Sequence, residues 1–94
     1  MIIIKSPAEI RKMRAAGSIV AGALRQAGSI VKPGVRTSDI NRVVEEFIIS
    51  RGAVPAFKGF RGFPASACVS VNEEVVHGIP GPRRLKEGDI VSVD

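Results

Sequence analysis

The chain has 94 residues, of which 45% are hydrophobic and 24% are charged, and its formal net charge is +5. This length supports one small hydrophobic core, so we expect a single domain over residues 1–94. The composition excludes a disordered or fibrous chain, and no apolar run reaches the roughly 18 residues of a transmembrane helix. The N-terminus lacks the pattern of a secretory signal. The single cysteine, Cys68, cannot form an internal disulfide, which predicts a reducing, cytoplasmic location.

Positive charge is concentrated in the first part of the chain. Residues 1–36 contain seven Lys or Arg and one acid, Glu9, whereas residues 37–94 contain seven Lys or Arg and eight acids. A basic segment is compatible with contact to RNA or to a ribosomal surface. It is also typical of a solvated helix face, which is the more common origin of such a pattern. Both interpretations stay open.

The first predicted helix has a well-marked start. Ser6 is suited to the N-cap, Pro7 to the first helical position, and Glu9 to closing a capping box. Apolar or small residues then recur at alternating spacings of three and four, as on one helix face. They are Ile10, Met13, Gly17, Val20, Leu24, Ala27 and Val31. Because a Lys-Pro-Gly sequence ends the pattern, we predict a helix at about 7–32.

A second amphipathic helix is predicted at about 38–51. Thr37 is the expected N-cap, Asp39 lies in the first turn, where the helix dipole favours an acid, and Gly52 suits the position after the helix. Its apolar stripe comprises Ile40, Val43, Val44, Phe47 and Ile48. Two helices joined by a short loop form a hairpin, and such a hairpin needs an apolar surface to cover.

The apolar pattern changes to short β-branched runs within residues 65–94. These runs, at 67–71, 75–76 and 90–93, predict strands. Helices followed by strands favour an α+β fold, with the N-terminal helical hairpin packed on an antiparallel-type sheet. The last run reaches the final residue, and a terminal strand would leave unpaired edge groups. We therefore expect a further segment of protein at this edge.

Three of the four phenylalanines lie in one short segment, FKGFRGF at 57–63. The rings of Phe57, Phe60 and Phe63 are suited to forming the walls of an apolar pocket. Alternating basic and aromatic side chains are also suited to stacking on bases and neutralising phosphates. The third alternative is a loop whose rings cover the sheet edge. Composition does not separate these three interpretations.

Three further residues are candidates for chemistry. His77 is the only histidine and lies between a predicted strand and a Gly-Ile-Pro turn, a position where loop residues often meet ligands. Cys68 has the pattern of a small buried residue, because nothing nearby in the sequence lowers its pKa. Asp94 offers a carboxylate to a metal ion, but a catalytic metal site needs about three protein ligands. The sequence shows no recognisable ligand spacing.

The stretch from Pro55 to Asp94, with SVNEEVVHGIP followed by GDIVSVD, resembles the corresponding part of bacterial type I methionine aminopeptidases. The segments IKSPAEIRKMRAAGSIVA and VKPGVRTSDINRVVEEFI are similar to that family's first two helices. The resemblance covers essentially the whole chain. It implies half of a pita-bread fold. For the complete enzyme it implies removal of the initiator methionine from nascent proteins by two divalent metal ions, whether Co, Mn, Fe or Zn.

The resemblance also implies roles for individual residues. His77 matches the catalytic histidine that contacts the scissile peptide, and Asp94 matches the first metal-ligand aspartate. The positions that line the pocket for the substrate methionine are matched by Phe57, Phe60, Phe63 and Cys68. Two of these, Phe60 and Phe63, stand where other members often have tyrosine. An apolar ring is kept, so contact with a thioether remains available.

All the family's other metal ligands lie downstream of the point where this sequence stops. We therefore expect the 94 residues alone to lack aminopeptidase activity and to need a C-terminal half as partner, because one carboxylate does not hold two ions. Two alternatives belong to other functional classes. One is a non-catalytic half-domain that associates with its own copy, and the other is a basic module that contacts the ribosome or RNA.

Overall fold

The computed structural model describes residues 2–94. Its elements in chain order are α1 (Pro7–Ile30), α2 (Thr37–Ser50), a 3-10 turn (Phe60–Gly62), β1 (Val69–Val71) and β2 (Val91–Val93). No helix within the described range is long and apolar enough to cross a membrane.

The start of α1 is closed by the predicted capping box. The Glu9 backbone N–H donates to Ser6 Oγ over 3.1 Å, and the Ser6 N–H donates to the Glu9 carboxylate over 2.9 Å. The bond from the Ser6 backbone is the main reason that the pKa of Glu9 is lowered. The helix ends at Ile30, two residues earlier than predicted, because Val31 is already extended ahead of the Lys32-Pro33 pair.

The start of α2 differs from the prediction. Arg36, not Thr37, occupies the N-cap, and its backbone N–H donates to the Asp39 carboxylate over 3.0 Å. Thr37 is the first helical residue, and its hydroxyl instead bonds Gly81, donating to the carbonyl over 3.1 Å and accepting from the N–H over 2.8 Å. The N-cap prediction for Thr37 is wrong because this long-range bond competes for the hydroxyl. Thr37 therefore holds the loop that contains Gly81 against the start of α2.

The two strands form an antiparallel pair with Val69 opposite Val93 and Val71 opposite Val91. The predicted strand at 75–76 is absent from the described residues, and both valines there are strongly exposed. The reason is a turn directly after β1. Asn72 has a left-handed backbone, with φ of 53°, and the Glu74 N–H donates to the Val71 carbonyl over 3.1 Å.

The core lies between the helical hairpin and the sheet, as the α+β prediction requires. Its buried residues come from both helices, from β1 and the residues just before it, and from one loop: Ala23, Ala27, Ile40, Val44, Ala67, Val69, Val71 and Leu85. The β2 valines are partly buried and pack against this core. Gly22 allows the two helices to approach, because a Cβ at that position would lie 2.4 Å from the Phe47 ring. The first half of α1 remains outside this core: every residue from 7 to 18 is exposed, including the apolar Ile10 and Met13.

Candidate active site

All five residues predicted to bind substrate line one cavity of about 410 Å³. They are Phe57, Phe60, Phe63, Cys68 and His77. We call this the Phe-His cavity. Ile79 and Pro64 add further apolar surface to its wall, and Arg61 lies at the same cavity. The structure thus brings the aromatic segment, the residue directly before β1 and the 77–79 loop to one place.

The aromatic segment closes on itself through backbone hydrogen bonds. The Gly59 N–H donates to the Phe63 carbonyl over 2.8 Å, and the Phe63 N–H donates to the Phe60 carbonyl over 2.9 Å. Gly59 has φ of 84° and permits this turn. The rings of Phe57 and Phe63 meet edge to face, with centroids 6.1 Å apart. Phe57 is therefore held by a specific aromatic contact.

Phe60 has a different environment from the other two rings. Its side chain is 58% exposed, and the Arg61 guanidinium carbon lies 5.2 Å from the ring centroid. This is the geometry of a cation–π contact. The three rings therefore divide into one aromatic pair and one ring covered by a cation, although all three line the same cavity.

Two contacts with α2 position the aromatic segment and the residues just before β1. The Lys58 ammonium pairs with the Glu45 carboxylate, and this hydrogen bond is the main cause of the lowered pKa of Glu45. Asn41 Oδ1 accepts from the backbone N–H groups of Ser66 and Ala67 over 2.9 and 3.0 Å. No sequence-based prediction included Asn41. Its only local signal is a polar side chain next to the buried Ile40.

His77 lies in a strained backbone position. Its φ of 56° is in the left-handed region, which is uncommon for residues other than glycine. The next residue, Gly78, is fastened to β1: its N–H donates to Ser70 Oγ over 3.1 Å, and its carbonyl accepts from the Val69 N–H over 2.9 Å. A Cβ at Gly78 would lie 2.3 Å from the Val69 carbonyl oxygen, so only glycine fits. No sequence-based prediction included this role of Ser70.

Cys68 connects the histidine to the end of β2. Its Sγ lies 3.7 Å from His77 Nδ1, and its backbone exchanges two hydrogen bonds with Asp94, of 2.7 and 2.9 Å. The thiol is buried, and burial raises its pKa, with a smaller contribution from the negative charge of Asp94. The protonated thiol is therefore the favoured form near neutral pH, and Cys68 is unsuited to acting as a nucleophile.

Asp94 is exposed and opens onto a second cavity of about 230 Å³. The wall of this cavity is mainly apolar and comes from both helices, including Val20, Leu24 and Val44, while Phe57 lines both cavities. A carboxylate is a suitable ligand for a divalent ion. Within residues 2–94, however, no three His, Cys, Asp or Glu side chains converge as a metal site requires. These residues alone therefore do not complete a metal site.

Comparisons with known proteins give a consistent result along the chain. A model of metallopeptidase family M24 matches residues 11–94. Methionine aminopeptidase 1 of Bacillus subtilis is 53% identical over 94 residues, which are 100% of this chain and 38% of that relative. The methionine aminopeptidase of Clostridium acetobutylicum is 56% identical over 95 residues, with the same two coverages.

Solved structures agree with the sequence relatives. A methionine aminopeptidase structure from Rickettsia prowazekii superimposes on 100% of this chain with a TM-score of 0.95 at 45% identity. One from Thermotoga maritima superimposes on 99% with a TM-score of 0.96 at 50% identity. The chain covers 38% of each solved chain. The α+β prediction, as part of the pita-bread fold, is confirmed, and the chain spans 38% of the length of these relatives.

Proposed function

Because the chain belongs to metallopeptidase family M24, we propose that it is the N-terminal part of a metal-dependent methionine aminopeptidase. Such an enzyme removes the initiator methionine from nascent proteins. The observation that carries this proposal is the convergence of Phe57, Phe60, Phe63, Cys68 and His77 on one cavity. The names of the relatives in Bacillus subtilis and Clostridium acetobutylicum, which match the whole chain, support the same activity.

The Phe-His cavity has the chemistry that a methionine side chain needs. Aromatic rings and Ile79 provide apolar contacts, and a thioether interacts favourably with ring edges about 5 Å away. The cavity volume of about 410 Å³ lies within the usual range for small-ligand pockets, roughly 300–1,000 Å³. His77 is exposed at the same cavity and offers a ring nitrogen to the peptide group that follows the bound side chain. We assign it the catalytic contact with the substrate.

Asp94 is proposed as one ligand of a centre of two divalent ions. Its partner ligands would come from the portion of the relatives that this chain does not match. Ions bound there would polarise the scissile carbonyl and make a water molecule nucleophilic near neutral pH. In this arrangement the chain binds the methionine side chain, contacts the peptide through His77 and supplies one carboxylate to the metal centre. We expect no hydrolysis from the 94 residues alone.

The test is reconstitution. The 94-residue chain is produced together with the C-terminal portion of Bacillus subtilis methionine aminopeptidase 1 that it does not match, and complex formation is verified by size-exclusion chromatography. Methionine release from Met-Ala-Ser is measured with Co²⁺ or Mn²⁺. We expect release from the complex and none from either portion alone. His77→Ala and Asp94→Asn should each abolish most of the activity of the complex.

A matched control comes from residues outside the cavity. Ser92→Ala changes an exposed residue two positions before Asp94 and should leave methionine release unchanged. A purified complex that contains both portions and metal but releases no methionine would contradict the proposed function. Release by the 94-residue chain alone, in proportion to its concentration, would contradict the expectation that the second portion is needed.

A further inference from the structure

The contact between Cys68 and His77 involves one particular ring nitrogen. Cys68 Sγ lies 3.7 Å from Nδ1, a contact in which the thiol is a weak hydrogen-bond donor or acceptor. A neutral imidazole carries its hydrogen on one nitrogen only, and the other nitrogen accepts. The group that bonds one nitrogen therefore decides what the other can do.

We propose that Cys68 is a positioning residue that fixes the tautomer of His77, with the thiol donating to Nδ1 and the ring hydrogen held on Nε2. Only one consequence of this inference rests on the proposed function: Nε2–H is then the donor offered to a carbonyl oxygen of the substrate. The tautomer itself follows from contacts within this chain. No proton is transferred, because the thiol keeps its hydrogen and only donates it in a hydrogen bond to Nδ1.

The direction of the hydrogen bond follows from the two groups. A thiol sulfur is a weak acceptor, whereas the unprotonated nitrogen of an imidazole is a good one. Cys68 is only 3% exposed, so its S–H has little access to water as an alternative acceptor. His77 is exposed, and an Nδ1–H would gain more from bonding water than from bonding sulfur. The S–H···Nδ1 arrangement leaves both groups better satisfied.

The backbone keeps His77 facing the thiol. Gly78 is held to β1 by its bonds to Ser70 and Val69, and there is no room for a side chain at that position. Cys68 precedes β1 and is itself held by its two backbone bonds to Asp94. Both partners of the contact are thus attached to the same strand. A preorganised donor of this kind stabilises negative charge that develops on a carbonyl oxygen.

The tautomer is measured directly by NMR. Because His77 is the only histidine, a chain labelled with ¹⁵N-histidine reports two ring nitrogens without overlap. We compare the wild type with Cys68→Ala, which removes the donor, and with Cys68→Ser, which retains a donor of similar size. Dispersed amide signals establish folding. If they are absent in the isolated chain, the spectra are recorded in the complex with the unlabelled second portion.

We expect the wild type and Cys68→Ser to carry the ring hydrogen almost entirely on Nε2, and Cys68→Ala to shift toward the mixture of tautomers of free imidazole. Equal tautomer ratios in wild type and Cys68→Ala would overturn the inference. So would a wild-type spectrum with the hydrogen on Nδ1. These outcomes do not depend on catalysis, so an inactive complex would contradict the proposed function and leave this measurement valid.

Kinetics of the reconstituted enzyme provide a second readout. Cys68→Ala should lower kcat by roughly 10-fold. This is less than the roughly 100-fold or greater loss that is typical when an oxyanion donor is deleted outright. Cys68→Ser should restore most of the lost kcat. A role in filling the pocket alone would change KM and would not distinguish the two variants by their hydrogen-bond donors. An unchanged kcat in Cys68→Ala would overturn the catalytic consequence.

Discussion

Cys68 and Asp94 face each other across the antiparallel pair and exchange two backbone hydrogen bonds, of 2.7 and 2.9 Å. The negative charge of Asp94 makes the smaller contribution to the raised pKa of Cys68, after burial. Since Cys68 also contacts His77, three candidate site residues are joined through one strand pair.

The first prediction concerns the close approach of Gly78 to β1. Gly78→Ala places a Cβ against the Val69 carbonyl oxygen, where the available distance is 2.3 Å, and backbone atoms there cannot move aside cheaply. We expect a loss of about 1–3 kcal/mol in the free energy of unfolding, the usual cost of overpacking. Urea denaturation measures it. Gly81→Ala in the same loop is the control, because its nearest neighbour lies 4.0 Å away; equal losses would contradict the argument.

A second prediction tests the buried hydroxyl of Ser70. Ser70→Ala removes the acceptor of the Gly78 N–H and leaves that donor buried without its partner. We expect a loss of about 1–3 kcal/mol and faster hydrogen exchange at the Gly78 amide. Ser92, directly opposite in β2, is exposed, so Ser92→Ala is the matched control. Unchanged exchange at Gly78 in Ser70→Ala would show that this bond does not hold the loop.

The third prediction separates the aromatic rings. Phe57→Leu removes the edge-to-face contact with Phe63, whereas Phe60→Leu changes a ring that is 58% exposed. An aromatic pair contributes about 0.5–1.5 kcal/mol beyond the area that it buries. We expect Phe57→Leu to lower the free energy of unfolding more than Phe60→Leu does, because Phe60 loses only an exposed contact with Arg61. Urea titrations of the two variants compare them, and the opposite order would refute the assignment.

The fourth prediction is a pH dependence from the pair between Glu45 and Lys58. The hydrogen bond to Lys58 lowers the pKa of Glu45 in the folded chain below the ordinary glutamate value of 4.5. The unfolded state then binds more protons than the folded state. The contribution of this pair to the free energy of unfolding is therefore fully present above about pH 4.5 and is lost as the pH falls through the folded pKa. Denaturation midpoints between about pH 7 and about pH 3 measure this loss.

Glu45→Gln should remove part of that acid-dependent loss. Glu46→Gln is the matched charge control, because it removes one carboxylate from the neighbouring, exposed position of the same helix. Lys58→Met tests the same contact from the other partner and should reduce the acid-dependent loss in the same direction. If Glu45→Gln and Glu46→Gln have the same pH dependence, the pair does not contribute as proposed.

The sequence by itself determined the features that depend on neighbours in the chain. The capping box of Ser6 and Glu9 needs only residues three apart, and the helices at Pro7–Ile30 and Thr37–Ser50 follow the amphipathic period. The resemblance to a known family could also be recognised from the sequence, because a string such as SVNEEVVHGIP is specific on its own. None of these features depends on which side chains pack against each other in the fold.

Only the tertiary structure decided the features that depend on distant partners. Thr37 bonds Gly81 instead of capping its helix. The run at 75–76 forms no strand because the chain turns directly after β1 at Asn72, whose backbone N–H donates to the distant Ile90. The pairing of Phe57 with Phe63, the anchoring of Gly78 by Ser70 and the contact of Cys68 with His77 join residues closer in the chain, but they too depend on how the folded chain turns. Local sequence carries no signal for these contacts, because a hydroxyl, an aromatic ring or a thiol takes whichever partner the folded chain brings within reach.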